Sequence, residues 1–410
     1  MTDKEFCLKY CSPSKEIPFT KTEYRERLHR IRDSMRKKRI DVLYLTSPES
    51  LYYVSGYKAE WYQAQSPRSW PPISGIAIHV DHDHFIHFDY IEELVMARYT
   101  SIADDVRIYP EGHQRSIQDW IVSELKKDGW IPGRVGLEMC SYRPYRAASE
   151  DFQKRLEKKG CKALDATDIV RDLRAIKSPK ELEYIEKAAK IADIGMSAVA
   201  ETMRAGMTEL EVYGEMIRAM AKAGGENPAI TLPVASGKKS ACMHALASRK
   251  RIKKGEIVNV DICGVFNRYH ANLGRTFSMG KAHPDVRKRV DASAGSFELL
   301  KNIVRPNMLI NELTRKLAEY YKKKRIDKEC LWFGGYDLGI AFPPDWVGSF
   351  AYDADTDLKD RRFVPGTVVN YESNFYLPRR AGVSLLINTI EFKDKEARLL
   401  SRLGNELIQV

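Results

Sequence analysis

The segment 255–276, GEIVNVDICGVFNRYHANLGRT, contains two strand-like apolar runs that each carry polar side chains. Asp261 lies in the first run, and Asn272 lies eleven residues later in the second. Two acidic residues at this separation on neighbouring strands could bridge a pair of metal ions, because divalent cations are held by anionic oxygens. The second residue is an amide, so the pattern predicts a sheet with a polar pocket and leaves open whether the pocket holds metal.

The length and composition of the chain predict a soluble enzyme of two domains. It has 410 residues, of which 43% are hydrophobic and 30% are charged, and chains of this size commonly form two domains with separate cores. The sequence has no apolar run long enough to cross a membrane, and residues 1–19 contain no apolar stretch of signal-peptide length. The seven cysteines form no closely spaced metal-binding pairs, so we expect reduced thiols and a cytoplasmic location.

The formal net charge of +11 raises the question of nucleic-acid binding. The basic residues are divided among short clusters at 36–39, 157–160, 249–255 and 321–325, and most of these have acidic residues close by. The sequence contains no basic stripe interleaved with aromatic residues and no recognisable nucleic-acid motif. We interpret the clusters as solvated surface, with polyanion binding as an alternative.

Residues 1–174 are predicted to form an α/β domain, because helical and strand patterns alternate along them. An amphipathic helix is expected over 20–38. Two strand patterns joined through Asp-His-Asp are typical of a β-hairpin. The break between the domains is expected near residue 175.

Residues 175–410 are predicted to form an α+β domain. Its first helix is expected to begin after Ser178, because Glu181 three residues later completes a capping box. A second amphipathic helix follows, and then a strand-rich region with helices around 284–303 and 309–324.

Polar side chains within apolar strand-like runs of the second domain are the candidates for a functional site. Burying a carboxylate costs roughly several kcal/mol unless it is paired or used, so Asp261 and Glu372 are the strongest candidates. His244 and the Tyr336-Asp337 pair lie in two further segments of this kind. The residues alone do not decide between a functional site and carboxyl groups that have only a structural role and are hydrogen-bonded within the protein.

The segment 255–281 resembles a strand pair of the M24 "pita-bread" superfamily, which includes methionine aminopeptidases, prolidases and creatinase. Residues 19–57 resemble the creatinase/prolidase N-terminal domain, and residues 168–193 resemble the helix that follows it. The resemblance covers nearly the whole chain. It implies a creatinase/prolidase-type α/β domain over 1–174 and an α+β pita-bread catalytic domain over 175–410.

The resemblance also bears on the metal. Metal-dependent members of the superfamily use two Asp, one His and two Glu as ligands. Asp261 and Glu372 stand at two of these positions, whereas Asn272, Tyr336 and Leu386, the last to within one residue, stand at the other three. Because amide, phenol and apolar side chains do not supply the anionic oxygens that two divalent cations need, we expect no cofactor. A divalent metal at Asp261 and Glu372 is the alternative.

Within the superfamily, the segments RYHANLGRT and GGYDLGIAFPPDW resemble those of ectoine hydrolases. The combination of lost metal ligands with a retained histidine at residue 244 resembles the pattern of creatinase. The resemblance therefore implies a metal-independent hydrolase that cleaves a C–N bond in a small amidine, guanidine or amide. Asp261 stands where we expect a glutamate in ectoine hydrolases, so the identity of the substrate stays open.

The implied catalytic residues are His244, Asp261, Glu372 and Tyr336. His244 would transfer a proton, and Asp261 would either attack the substrate or join Glu372 in binding its cation. Tyr336 would donate a hydrogen bond to developing charge. The substrate-binding residues predicted beside them are Asn272 and Asp337.

Four further substrate-binding candidates lie outside these strands. Trp61 and Arg68 stand where creatinase-like dimers send an aromatic residue and an arginine into the active site of the partner. Arg379 and Arg380 are second candidates for the same work, because a guanidinium suits bidentate capture of a substrate carboxylate. A homodimer acting on a small-molecule substrate is therefore expected.

Two other functions stay open. One is a metallopeptidase that cleaves Xaa-Pro dipeptides, which three changed ligand positions disfavour. The other is a catalytically inactive pita-bread module that binds peptides, which the basic charge fits. The retention of His244, Asp261 and Glu372 argues against this second alternative. A lyase activity known in the superfamily is ranked below both.

Overall fold

The computed structural model describes residues 1–10, 13–58, 70–110, 112, 116–377 and 382–410. These residues form two compact units, Met1–Arg174 and Ala175–Val410. No helix within the described part of the chain is both long and apolar enough to span a bilayer.

Unit 1 is built on a six-stranded mixed sheet with helices between its strands. Its strands are β1 (Val42–Leu45), β2 (Gly75–His79), β3 (Phe85–Asp89), β4 (Asp105–Ile108), β5 (Arg134–Leu137) and β6 (Lys162–Asp165). Its helices are α1 (Asp3–Tyr10), α2 (Lys21–Lys38), α3 (Pro48–Ser55), α4 (Leu94–Thr100), α5 (Ile117–Lys127), α6 (Arg146–Glu157) and α7 (Asp168–Ala175). The strand order is β4-β3-β2-β1-β5-β6, and β2 and β3 form the predicted antiparallel hairpin.

The first predicted amphipathic helix is confirmed as α2. Its N-cap is Thr20, whose side chain accepts a hydrogen bond from the backbone N–H of Glu23. Leu28, Ile31 and Met35, at helical spacing, are buried. Burying an apolar side chain of this size stabilises a protein by roughly 1.5–3 kcal/mol, which fixes the face that α2 turns inward.

Unit 2 contains a nine-stranded sheet and four long helices among its described residues. The helices are α8 (Pro179–Thr202), α9 (Glu209–Lys222), α10 (Pro284–Ile303) and α11 (Ile310–Lys324). The strands are β7 (Val234–Ser236), β8 (Ile257–Phe266), β9 (Tyr269–Ser278), β10 (Met308–Leu309), β11 (Cys330–Tyr336), β12 (Ala351–Asp353), β13 (Arg362–Phe363), β14 (Val368–Tyr376), β15 (Val383–Phe392), β16 (Ala397–Leu399) and β17 (Ile408–Gln409). The main strand order is β12-β11-β14-β15-β9-β8-β7, with β16 beside β15 and β17 beside β9, and β10 and β13 form a separate two-stranded sheet.

Helix α8 begins as the sequence predicts. The Ser178 side chain accepts from the backbone N–H of Glu181, and the Glu181 carboxylate accepts from the backbone N–H of Ser178. Helix α8 packs so closely on β8 that a Cβ at Gly264 would collide with the backbone of Ala188. Glycine at this position therefore sets the distance between helix and sheet.

The two faces of the nine-stranded sheet have different surroundings. Helices α10 and α11 pack on one face, where Phe297 and Leu317 join Tyr371 and Leu386 in a buried apolar cluster. Alternate residues of a strand point to opposite faces, so Glu372, next to Tyr371, points to the other face. That second face carries the polar side chains that the sequence singled out.

Candidate active site

Asp261 and Glu372 lie in one row of paired residues that crosses four strands. Asp261 pairs with Gly274 on β9, Gly274 pairs with Ile387 on β15, and Ile387 pairs with Glu372 on β14. Directly paired residues of antiparallel strands share a face, so both carboxyl groups project from the face opposite the helices. A Cβ at Gly274 would collide with Leu385 and Ile387, so the row requires glycine at its centre.

A chain of amide side chains joins the two carboxyl groups. Asn272 Nδ2 donates to Asp261 Oδ1 at 2.7 Å, and Asn370 Nδ2 donates to Asn272 Oδ1 at 3.0 Å. Asn370 Nδ2 also lies 2.9 Å from Glu372 Oε1, and Asn374 Nδ2 donates to Glu372 Oε2 at 3.0 Å. These five side chains therefore form one hydrogen-bonded network on a single face of the sheet.

Tyr336 extends this network from β11. Its backbone N–H donates to Asn370 Oδ1 at 2.7 Å, and its hydroxyl bonds to the Glu372 carboxylate. Trp346 Nε1 donates to the Tyr336 hydroxyl at 2.9 Å. The indole of Trp346 therefore fixes the phenol, and the phenol in turn holds Glu372.

The two carboxyl groups differ in protonation. Burial, and then the charge of Glu372, raises the pKa of Asp261 to about 8, against a smaller opposing effect from Asn272. Burial also raises the pKa of Glu372, but hydrogen bonds from Asn374, Asn370 and Tyr336 favour its ionised form. Burial and the charge of Glu372 therefore favour the protonated form of Asp261, whereas three hydrogen bonds favour the ionised form of Glu372.

His244 lies in a turn that follows the 3-10 helix Gly237–Ala241 and is exposed. An electrostatic effect of His244 acts to lower the pKa of Glu372, so the ring is within electrostatic reach of that carboxyl group. An exposed imidazole at the edge of a buried carboxyl pair can exchange protons with solvent. The buried position expected from the sequence is corrected, and the proton-transfer role stays a prediction.

His270, in the RYHANLGRT segment, is a structural histidine. It is fully buried, its Nδ1 lies 2.9 Å from the carbonyl oxygen of Arg268, and its Nε2 accepts from the backbone N–H of Ala229 at 3.1 Å. Burial lowers the pKa of His270 to about 3, so this ring is neutral and holds two loops together.

Asp337 does not join the network, although the sequence predicted it as a substrate-binding residue. One of its carboxylate oxygens pairs with Lys177, which is itself buried. The other accepts from the backbone N–H and the hydroxyl of Ser349, both at 3.0 Å. Because both oxygens are engaged in the core, we correct this assignment and regard Asp337 as structural.

Four predicted substrate-binding residues lie outside the described residues: Trp61, Arg68, Arg379 and Arg380. Of the remaining predicted residues, the network brings together Asp261, Asn272, Tyr336 and Glu372. The sequence assigned the last ligand position to Leu386, give or take one residue; Leu386 faces the helices, and its neighbour Ile387, also apolar, lies in the row with Glu372.

Three residues of the network were missed in the sequence: Asn370, Asn374 and Trp346. The first two had a signal, because residues two before and two after a strand glutamate share its face. Trp346 lies ten residues after Tyr336 in GGYDLGIAFPPDW, and no local pattern places its indole against that phenol.

Known proteins with similar sequences and structures cover nearly the whole chain. An Xaa-Pro dipeptidase from Pyrococcus furiosus is 26% identical over 94% of this chain and 100% of the relative. An ectoine hydrolase from Halomonas elongata is 26% identical over 80% of this chain and 84% of that protein. The crystal structure of the prolidase from Pyrococcus horikoshii OT3 covers 93% of this chain and 100% of that chain with a TM-score of 0.75 and 24% identity.

The prediction of a metal-independent hydrolase acting on a non-peptide C–N bond is wrong on this comparison. Relatives named Xaa-Pro dipeptidase span almost the whole chain, and they support the alternative of an Xaa-Pro-type metallopeptidase. The expectation of no cofactor is corrected on the same ground, in favour of the alternative with a divalent metal at Asp261 and Glu372. Hydrolase activity is common to both functions and is supported.

The side chains around Asp261 and Glu372, as they are arranged, do not fit that metal. Amide N–H groups point at Asp261 Oδ1 and at both oxygens of Glu372, where a cation would need free lone pairs. No cluster of three or more His, Cys, Asp or Glu side chains able to hold a metal ion occurs in the described ranges. The donor set of this chain therefore disagrees with the metal that its relatives imply.

The predicted family and fold class are confirmed by two family matches and one solved structure. Residues 27–176 match the creatinase/prolidase N-terminal domain, and the solved prolidase shares the α/β unit followed by an α+β pita-bread unit. Residues 183–394, more than half of the chain, match metallopeptidase family M24. The chain belongs to metallopeptidase family M24.

Proposed function

We propose that this protein is a hydrolase that cleaves the amide bond of small Xaa-Pro-type dipeptides at the Asp261–Glu372 site. The observation that carries the proposal is the relationship to an Xaa-Pro dipeptidase, which extends over the full length of that relative. The location is supported by the network of two carboxyl groups and three amides on one face of the sheet.

The two carboxyl groups suit the two proton transfers of amide hydrolysis. Water must lose a proton as it attacks the carbonyl carbon, and the departing proline nitrogen must gain one as the C–N bond breaks. Glu372, whose ionised form three hydrogen bonds favour, acts as the base, and Asp261, whose pKa is raised to about 8, acts as the acid. His244, at the exposed edge, exchanges protons between Glu372 and solvent.

The direct test is the release of proline from Met-Pro and Leu-Pro, followed by chromatography, with Mn²⁺ present and absent. Leu-Gly is the matched dipeptide without proline. Release from the proline dipeptides and not from Leu-Gly supports the proposal. Opening of the ectoine ring without any release of proline would overturn it.

A peptide-binding module without turnover is the second candidate, favoured by one observation. Asn272 donates a hydrogen bond to Asp261 at the position where metal-dependent members carry an acid. Calorimetric titration with Leu-Pro separates the two functions. Saturable binding without proline release, with and without Mn²⁺, would favour the binding module over the hydrolase.

The rate of Xaa-Pro cleavage should fall as the pH rises through about 8. The pKa of Asp261 is raised to about 8 by burial and by the charge of Glu372, so above this pH the acid that protonates the proline nitrogen is lost. The measurement is kcat/KM against pH, which reports the pKa values of the free enzyme, with lactoyl-proline, which lacks an α-ammonium group and therefore the substrate titration at about 7.7–8.0. A profile that stays flat between about pH 6 and 10 would contradict Asp261 as the acid.

We further propose a homodimer in which Trp61 and Arg68 contribute to the partner's site. An arginine beside the reacting groups would hold the substrate carboxylate through two hydrogen bonds. Light scattering after size-exclusion chromatography should give twice the chain mass of 47.0 kDa. A monomeric mass together with full turnover would show that the site is complete within one chain.

A further inference from the structure

The buried carboxylate of Glu209 joins both ends of the loop that carries His244. Glu209 is the first residue of α9 and is fully buried. Its Oε1 accepts from the N–H and hydroxyl of Ser236 at 2.9 and 2.8 Å, and its Oε2 accepts from those of Ser248 at 3.0 and 2.8 Å. Ser236 precedes His244 and Ser248 follows it, so one side chain closes the loop of residues 237–247.

A lysine inside the loop strengthens the same closure. Lys239 Nζ lies 2.6 Å from Glu209 Oε2 and donates to the Ser248 hydroxyl at 3.1 Å. It also donates to the carbonyl oxygen of Leu246, which ties the two sides of the loop together. Hydrogen bonds that involve an ionised partner are roughly twice as strong as neutral ones, so this contact holds the loop firmly.

The charge of Glu209 is built into this arrangement. Burial acts to raise the pKa of Glu209, but hydrogen bonds from Lys239, Ser248 and Ser236 outweigh it, and the pKa lies below its ordinary value. The carboxylate is therefore ionised at neutral pH. An amide in its place would present hydrogens to donors, and at least one of these contacts would be lost.

We infer that Glu209 is a positioning residue that sets the place of His244 within electrostatic reach of Glu372. His244 lies in an exposed turn outside any regular helix or strand, so the ends of the loop determine where its ring stands. A displacement of about 1 Å in a reacting group can cost about a hundredfold in rate. The inference rests on the proposed function, in which His244 exchanges protons with Glu372.

The test is Glu209→Gln, with Glu211→Gln as the matched control on the same helix. The Glu211 carboxylate caps that helix through the N–H and hydroxyl of Thr208 and contacts neither end of the loop. We expect kcat for Met-Pro to fall about tenfold to a hundredfold in the first variant and to stay unchanged in the second. An unchanged kcat in Glu209→Gln would overturn the inference.

A double-mutant cycle with His244→Ala distinguishes positioning from a general structural effect. If Glu209 acts through His244, adding Glu209→Gln to His244→Ala lowers kcat no further. Losses that multiply in full would mean that Glu209 acts by another route. Ser248→Ala removes one hydroxyl donor from the same carboxylate. Should Glu209→Gln fail to fold, Ser248→Ala takes the place of that variant in the cycle.

Amide hydrogen exchange keeps this inference separate from the proposed function. Exchange in residues 237–247 should be faster in Glu209→Gln than in the native protein and unchanged in Glu211→Gln, whatever the substrate. Unaltered exchange would overturn the closure of the loop by Glu209. Faster exchange in a protein that releases no proline would leave the closure standing and reject the proposed function.

Discussion

Replacing Glu372 by glutamine should lower kcat for Xaa-Pro cleavage by about a thousandfold, because the variant lacks the base that deprotonates water. Glutamine has nearly the same volume, and its oxygen can still accept from Asn370 or Asn374, so the chain should fold. Steady-state proline release measures the effect, and circular dichroism checks the fold. A variant with native kcat would remove Glu372 from the reaction.

The same substitution at Glu391 is the matched control. Glu391 is a buried glutamate on β15, and its carboxylate pairs with Arg398 at 2.9 Å and Lys393 at 3.5 Å, outside the network of the site. We expect Glu391→Gln to lower the melting temperature and leave kcat unchanged, because it removes one of the two carboxylates that pair with Arg398 and Lys393, the other being Glu186, without touching the reacting groups. Equal losses of kcat in the two variants would indicate general damage to the sheet.

A second result should accompany the loss of activity in Glu372→Gln. The charge of Glu372 is the second cause, after burial, of the raised pKa of Asp261. Removing this charge should therefore lower the pKa of Asp261 from about 8, which carbon NMR of labelled aspartate carboxyls can follow. A pKa that stays at about 8 would mean that burial alone sets it.

Elements with local signals could be predicted from the sequence. The capping box of Ser178 and Glu181 fixed the start of α8, since both partners lie within four residues. The helix around 284–303 is confirmed as Pro284–Ile303, where proline at the first position and aspartate in the first turn mark its start. Asp261, Asn272 and Glu372 were found because each is polar within an otherwise apolar strand.

The rest of the site depends on pairings between distant parts of the chain. The register of β14 with β15 places Ile387, and not Leu386, opposite Glu372, and an error of one residue moves a side chain to the other face. Asp337 pairs with Lys177, 160 residues earlier in the chain. Local patterns carry no information about either contact.

Replacing Asn272 by aspartate should raise the affinity of the protein for Mn²⁺ by at least about tenfold. Asn272 Nδ2 now points at Asp261 Oδ1, and the substitution exchanges this N–H donor for a second anionic oxygen, which divalent cations prefer. Without metal, two adjacent carboxylates repel each other, so the variant should also melt at a lower temperature than the native protein. Added Mn²⁺ at a hundred times its Kd should restore stability by about 2.7 kcal/mol.

The control for this prediction is Asn388→Asp, the same substitution on the opposite face of the sheet. Asn388 is equally buried, and its Oδ1 accepts from the backbone N–H of Ser401. Calorimetric titration with Mn²⁺ at pH about 8, where the Asp261 proton no longer competes as strongly, compares the three proteins. Tighter binding in Asn272→Asp alone would identify residue 272 as the position at which this chain departs from the metal-binding pattern. Equal affinity in Asn272→Asp and the native protein would mean that the Asn272 amide is no obstacle to metal, and that the cation reaches Asp261 and Glu372 by rearranging the amide network.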